Sequence, residues 1–421
     1  MTAVEHLVVV GASLAGLRAV EAARKSGYTG RITLIGTEDH LPYDRPPLSK
    51  AYLDEAPAGD GPEVPTFRTE DFLRDELDVN LVLGCAATGL DTEAKTVRVG
   101  LGDEAREIGY DALIVATGAD ARRLPGTDHL EGVHCLRTLD DAKAIRKALD
   151  AKARVVIIGA GFIGAEIAAG ARKRGLSPVV LEALPTPLVR AVGEEMGVAI
   201  SSLHAKNGTD LRCGVGVKAL EGNGRVERVV MADGSVIEAD LVVVGVGTIP
   251  SVAWLEGSGL TIDNGVVCDQ NLYTGIDGVY AAGDVVRWQN PAYDRLMRIE
   301  HWTSAAEQGA AAARNAVNPS ESKAYATVPY FWSDQYDVRI QFVGVSQADE
   351  VLVVDGDLDQ GNRLVALYRS GDRLVGALTV NGQTEIMKYR GLIMKKASWD
   401  EALAFAAKRC EVRAAKTPVL T

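Results

Sequence analysis

The chain has 421 residues, 47% hydrophobic and 24% charged, which predicts an ordinary soluble globular protein of two to four domains. Its formal net charge of −12 excludes general nucleic-acid binding, which needs a basic surface to neutralise phosphates. No apolar stretch reaches the length of a membrane span, and the start, Met1-Thr-Ala-Val-Glu-His6, lacks a secretory pattern, so a cytoplasmic protein that does not engage membranes is expected.

In chain order, a short apolar strand, His6–Val10, ends at Gly11. A helical pattern follows from about Leu14 to Ser26, then a second strand, Arg31–Ile35. A loop rich in Pro and Gly is expected over 54–66, with strands near Val79–Leu83, Lys95–Val99 and Ala112–Ala116. The strand–turn–helix–strand unit then recurs: Arg154–Ile158, Gly159-Ala-Gly161-Phe-Ile163-Gly164, a helix through about Lys173, and Pro178–Leu181. Leu241–Val246 reads as another buried strand before Gly247, and Gly278–Ala281 as a strand before Ala282-Gly283-Asp284. An Ala-rich helix is expected from about Ser304 to Ala316. After Asn318-Pro319 the pattern turns to short strands (Val338–Val343, Val351–Val354, Leu364–Tyr368, Leu374–Val380) and closing helices rich in Lys and Ala. Residues 361–421 hold 11 Lys+Arg against 5 Asp+Glu, a local excess of +6, so the rest of the chain carries −18. Such a face suits an acidic partner, or is simply a solvated helical surface.

Gly159-x-Gly161-x-x-Gly164 is a complete dinucleotide fingerprint. The first glycine permits the tight turn, the second lets the backbone approach the pyrophosphate, and the third allows close helix packing. The helix N-terminus offers unpaired N–H groups and a positive dipole end to the phosphates. Glu182, at the end of the next strand, can bind ribose hydroxyls and would repel a 2′-phosphate, so NADH is favoured over NADPH. Gly11-Ala-Ser13-Leu-Ala15-Gly16 is the same device with serine in the middle slot, and Glu38 follows its second strand. Two dinucleotide sites in one chain imply a division of labour between a tightly held flavin and a diffusible nicotinamide. Asp284, read as lying between a strand and a helix, is placed to bond a ribityl chain. The segment Pro42-Tyr-Asp-Arg45-Pro-Pro-Leu-Ser-Lys50 stiffens two cations, which favour negative charge on a reduced flavin. Cys85, Cys135, Cys213, Cys268 and Cys410 stand too far apart for a redox dithiol, and no metal site is read.

These segments, with Ala-Thr-Gly118, Leu-Arg137-Thr-Leu-Asp-Asp141, Ile-Gly-Ala-Gly-Phe-Ile-Gly-Ala-Glu166 and Tyr330-Phe-Trp332-Ser-Asp-Gln335, carry a resemblance that spans nearly the whole chain. It resembles the bacterial FAD-dependent NADH:ferredoxin reductases of cytochrome P450 and ring-hydroxylating dioxygenase systems, of the putidaredoxin reductase and rhodocoxin reductase type. The resemblance implies an α/β fold of two Rossmann-like domains plus a C-terminal α+β domain. The FAD-binding domain would span 1–120 and 248–322, split by an NAD-binding domain at 121–247, with an interface domain at 323–421. It implies that Gly11, Ser13, Ala15, Gly16, Glu38, Arg45, Lys50, Ala87, Arg137, Asp284 and Trp302 surround FAD. Gly159, Gly161, Ile163, Gly164, Glu166, Glu182, Arg190 and Gly247 would surround NADH. Lys50, Arg45 and Glu166 would serve the hydride step, Lys50 paired with Glu166, and Tyr330 and Trp332 would mark where electrons leave for a [2Fe–2S] ferredoxin. A monomer or weak homodimer is expected. The rivals are an NADH oxidase, a quinone or ascorbate-radical reductase, and a non-catalytic NADH-sensing flavoprotein similar to apoptosis-inducing factor. A disulfide reductase would need the cysteine pair that the chain lacks.

Overall fold

The computed structural model describes residues 4–54, 62–64 and 66–414. Most of the Pro- and Gly-rich loop read at 54–66 lies outside the described residues. In chain order the α-helices are α1 (Leu14–Lys25), α2 (Leu139–Asp150), α3 (Phe162–Lys173), α4 (Val189–Val192), α5 (Glu194–Lys206), α6 (Trp302–Val317), α7 (Gln383–Met394) and α8 (Trp399–Ala414). The chain divides into two compact units.

The first unit comprises Met1–Asp44, Val64–Asp120 and Thr248–Thr327. Its centre is a parallel sheet with strands in the order Val279–Ala281, Ala112–Val115, His6–Val10, Arg31–Ile35, Val79–Val82. The two central strands, Ala112–Val115 and His6–Val10, are almost wholly aliphatic and buried throughout, as expected when both faces are covered. Leu7, Val8, Val9, Leu113, Ile114 and Val115 are fully buried, each worth roughly 1.5–3 kcal/mol of transfer from water. Helices α1 and α6 join this core through Leu17, Ala19, Val20, Ala312 and Ala313. Small residues let the two helices lie close, and a Cβ on Gly309 would meet the Ala15 carbonyl oxygen at 2.1 Å.

The second unit comprises Arg45–Glu63, Ala121–Gly247 and Val328–Thr421. It holds a second parallel sheet, ordered Asp210–Cys213, Val179–Glu182, Val155–Ile158, Leu241–Val244, Val133–His134. It also holds an antiparallel sheet, ordered Tyr330–Gln335, Val338–Gly344, Arg373–Val380, Leu364–Ser370, Glu350–Gly356. Helices α7 and α8 cover one face of that sheet through Ile386, Tyr389, Ile393, Ala402 and Ala406. Ile340, Phe342, Tyr368 and Leu378 occupy the other, in one cluster with α5 residues Met196, Ile200 and Leu203. The C-terminal segment groups with 121–247 from Val328 onward. Residues before it are tied to the first unit: the Trp288 indole N–H donates to the Tyr325 carbonyl at 3.2 Å, and the Asn290 amide to the Thr327 carbonyl at 2.9 Å.

Candidate functional site

In each parallel sheet the chain reverses winding beside the first strand, with neighbours His6–Val10 and Ala112–Val115 in one, Val155–Ile158 and Leu241–Val244 in the other. Ligands of open α/β sheets bind at the carboxyl ends of the strands at such a point. Six of the residues singled out in the sequence lie at such ends. Gly11, Glu38 and Asp284 follow the C-terminal ends of strands in the first sheet, and Gly159, Glu182 and Gly247 stand at or just beyond those ends in the second.

Gly11 and Gly159 have φ of +123° and +105°, a region that L side chains rarely adopt. The middle slot behaves differently. Gly161 and Ser13 are both helix N-caps in extended conformation, so serine at 13 carries no backbone strain. A Cβ at Gly161 would meet nothing within 4 Å, so glycine is needed there only if something else occupies that space. Neither α1 nor α3 has an acidic residue in its first turn, which leaves both positive helix ends to an anion. In contrast, α2 is closed by a Thr138–Asp141 capping box and α5 begins with Glu194 and Glu195. These residues fit two dinucleotides.

In the second unit both Glu182 oxygens are held: one accepts from the Ala160 N–H at 2.7 Å, the other from the Leu184 N–H at 2.9 Å. The carboxylate is thereby fixed against the fingerprint turn. The neighbouring Cys213 thiol is pushed upward in pKa, first by burial and then by the Glu182 charge. Ile163 is 40% exposed in the first turn of α3, an apolar surface beside the turn. Arg190 is exposed on α4. Gly247 has φ +104° and accepts from the Arg122 N–H at 2.9 Å.

The 45–54 segment belongs to this unit. Pro46 and Pro47 open a short 3₁₀ turn that sets Ser49 and Lys50 side by side. The Lys50 ammonium donates to the Glu166 carboxylate at 2.7 Å, and Glu166 is only 4% exposed on α3. The Ser49 hydroxyl donates to the same oxygen at 2.5 Å, and the Ser333 hydroxyl to the other at 2.6 Å. Arg45 donates to the Arg137 carbonyl at 2.5 Å. Beyond Lys50, two buried arginines anchor the segment. Arg146 on α2 donates to the Tyr52 carbonyl at 2.5 Å, and Arg174, just after α3, donates to the Leu53 carbonyl at 2.6 Å. Sequence reasoning missed Ser49, Ser333, Arg146 and Arg174. The only signal was a pair of arginines among apolar helix neighbours, and serines inside motifs already quoted.

In the first unit Glu38 accepts from the Tyr43 hydroxyl at 2.6 Å, and the Trp302 indole N–H donates to Asp44 at 2.8 Å. Ala15 is buried in the first turn of α1, and Ala87 starts the strand Ala87–Asp91. Asp284 is half-buried, but the element after it is the strand Val286–Asn290, not a helix. The segment Val286–Asn290 alternates buried and half-buried residues, the period of a strand. Tyr330 and Trp332 alternate with buried neighbours on one strand and stack with centroids 5.9 Å apart. Period-2 geometry puts them on the opposite face from Ser333.

A family model described as pyridine nucleotide-disulphide oxidoreductase matches residues 5–309, and one described as reductase C-terminal matches 330–415. Rhodocoxin reductase of Rhodococcus erythropolis is 36% identical over 389 residues, covering 92% of this chain and 89% of that protein. The anthranilate 1,2-dioxygenase system ferredoxin–NAD(+) reductase component of Burkholderia cepacia is 35% identical, covering 94% and 96%. Among solved structures, the covalent putidaredoxin reductase–putidaredoxin complex matches with TM-score 0.86 and 33% identity, over 94% of each chain. No helix among the described residues is long and apolar enough to cross a membrane.

Proposed function

Because the chain belongs to the pyridine nucleotide-disulphide oxidoreductase family and ends in a reductase C-terminal domain, we propose that it takes hydride from NADH onto FAD and passes electrons singly to a [2Fe–2S] ferredoxin. That ferredoxin would serve a cytochrome P450 or a ring-hydroxylating dioxygenase, in the cytoplasm, with the reductase a monomer or weak homodimer. FAD, when bound, supplies the conversion of a two-electron donor into one-electron steps.

The chain's residues supply position and charge. The Gly11 turn, Ser13, Ala15, Gly16, Glu38, Ala87, Arg137, Asp284 and Trp302 would hold the flavin dinucleotide. The Gly159–Gly164 turn, Glu182, Arg190 and Gly247 would hold NADH, with Ile163 and Glu166 toward the nicotinamide. Lys50 and Arg45 bring positive charge that favours an anionic reduced ring. Tyr330 and Trp332 would line the exit toward the ferredoxin.

The observation that carries this reading is the buried Lys50–Glu166 pair on a fingerprint helix in a chain whose five cysteines are all unpaired. A relay to an internal disulfide would need two neighbouring thiols. The electrons therefore have to leave the chain. Anaerobic stopped-flow mixing with NADH, followed by a panel of [2Fe–2S] ferredoxins, tests the scheme. Rapid flavin bleaching and faster reoxidation by a ferredoxin than by oxygen or quinone are expected. An unbleached flavin would refute the hydride step, and faster turnover with quinone or oxygen would favour the oxidase rival.

A further inference from the structure

The Glu166 carboxylate is a node with three donors, and they come from two distant parts of the chain. One oxygen takes the Lys50 ammonium and the Ser49 hydroxyl, at 2.7 and 2.5 Å. The other takes the Ser333 hydroxyl at 2.6 Å, and among the described residues Ser333 is its sole partner. Ser333 and Gln335 are fully buried on the strand Tyr330–Gln335, and the Gln335 amide donates to the Ser333 oxygen at 3.3 Å.

A hydroxyl has one proton to give. With the Gln335 N–H supplied to its oxygen, and a carboxylate as the stronger acceptor, the Ser333 proton has one place to go, Glu166. The terminal torsion of a glutamate is otherwise broad, so a single donor pair on one oxygen does not fix the carboxylate plane. Phe331, the preceding residue on the same face of the strand, packs on Phe162 at the start of α3 with ring centroids 4.5 Å apart. The strand is thus held in register with the helix that carries Glu166. Its opposite face carries the stacked Tyr330 and Trp332.

We propose that Ser333, aimed by Gln335, is a positioning residue that locks the Glu166 carboxylate, and through it Lys50, in the geometry that hydride transfer uses. The C-terminal sheet thereby sets the nicotinamide-side charge pair with one face while the other face holds the aromatic pair. This rests on the reading of Lys50 and Glu166 as the hydride-side pair.

The test uses the full-length flavoprotein with Ser333→Ala, Ser333→Thr and Gln335→Leu, and Ser333→Ala combined with Glu166→Gln. Flavin reduction is followed anaerobically with NADH and with its deuterated form. Ser333→Ala is expected to slow flavin reduction at saturating NADH about tenfold, the worth of one hydrogen bond to a charged group. The NADH dissociation constant and FAD content should stay within twofold of the parent. Ser333→Thr, which keeps the hydroxyl, should recover most of the rate, and Gln335→Leu should give an intermediate loss. In the Glu166→Gln background Ser333→Ala should cost nothing further, because both changes act on one carboxylate. Unchanged reduction in Ser333→Ala, or losses that simply add, would overturn the proposal while leaving Glu166 in its role if Glu166→Gln is slow. Undiminished reduction in Glu166→Gln itself would refute the reading beneath it.

Discussion

At the scale of single residues, the proposed preference for NADH rests on Glu182. Its two oxygens are pinned by the Ala160 and Leu184 amides, so the charge cannot swing away from an incoming 2′-phosphate. Glu182→Gln keeps one acceptor and removes the charge. The ratio of kcat/KM for NADH over NADPH should fall by about tenfold or more, since a hydrogen bond involving a charged group is worth roughly 1.5–3 kcal/mol. Steady-state kinetics with both coenzymes check it, and an unchanged ratio would place the discrimination elsewhere. Glu182 was singled out because strand-end acids have a fixed offset from the fingerprint, and the kinetics above test its role. Glu166 and Lys50 were legible as a pair only through the resemblance, and the structure shows that pair at 2.7 Å. Ser49, Ser333, Arg146 and Arg174 were not legible. The carbonyl and carboxylate oxygens they bond at the site lie 94 to 167 residues away in sequence, and nothing local marks a serine as the donor to a distant carboxylate.

At the scale of elements, strands with continuous apolar runs were readable to within a residue or two, as His6–Val10 and Arg31–Ile35 show. Helices with mixed faces, α2 and α5, were not read at all, although α2 carries a Thr138–Asp141 capping box. Helix-to-helix approach was invisible because it depends on one missing Cβ. Gly309→Val would drive its Cβ into the Ala15 carbonyl, 2.1 Å away even for an ideal Cβ, and force α6 off α1 at the first fingerprint. Overpacking costs about 1–3 kcal/mol. A lower thermal midpoint and flavin lost on gel filtration are the expected outcomes, and a variant with parental midpoint and full flavin would refute the close-approach argument. In the other unit, α5 buries His204 completely, with Nδ1 at 2.8 Å from the Tyr336 hydroxyl. Burial lowers its pKa from 6.5 to about 4. The unfolded imidazole therefore takes up a proton between pH 6.5 and about 4 while the folded one stays neutral. Acidification through that window favours unfolding, by up to about 1.4 kcal/mol per pH unit, and the stability is fully present above it. His204→Leu should flatten the plot of thermal midpoint against pH between 6.5 and 4.5, whatever its midpoint at neutral pH. A slope equal to the parent's would show that His204 does not set it.

At the scale of the whole molecule, the charge division read from the sequence changes meaning once side chains are placed. The +6 of residues 361–421 counts arginines whose partners partly lie just outside that window, and Lys416 within it lies outside the described residues. Arg363 and Arg413 pair with Asp355, Arg369 with Glu350, and Arg363 and Arg409 with Glu385. The lysines exposed there are Lys388, Lys395 and Lys396 at α7 and its end, with Lys408 on α8; Arg373 is exposed too, as are Asp372, Asp400, Glu401 and Glu411. Met387 and Met394, 49% and 45% exposed, lie among them on the same helix. A lysine patch at α7 and its end, on a chain with net charge −12, favours the approach of an acidic partner at that end. Such steering raises association rate more than affinity and is screened within about 10 Å at 0.1 M salt. If an acidic ferredoxin docks by this patch, its second-order reduction rate should fall as salt rises. The triple change Lys388→Glu, Lys395→Glu, Lys396→Glu should lower that rate about tenfold or more at low ionic strength, within the range that steering supplies. The same variant should lose most of the salt dependence and keep the parental rate of flavin reduction by NADH, since the lysines lie outside the nucleotide turns. A salt-independent parent, or a triple variant with the parental ferredoxin rate, would remove the patch from the docking route.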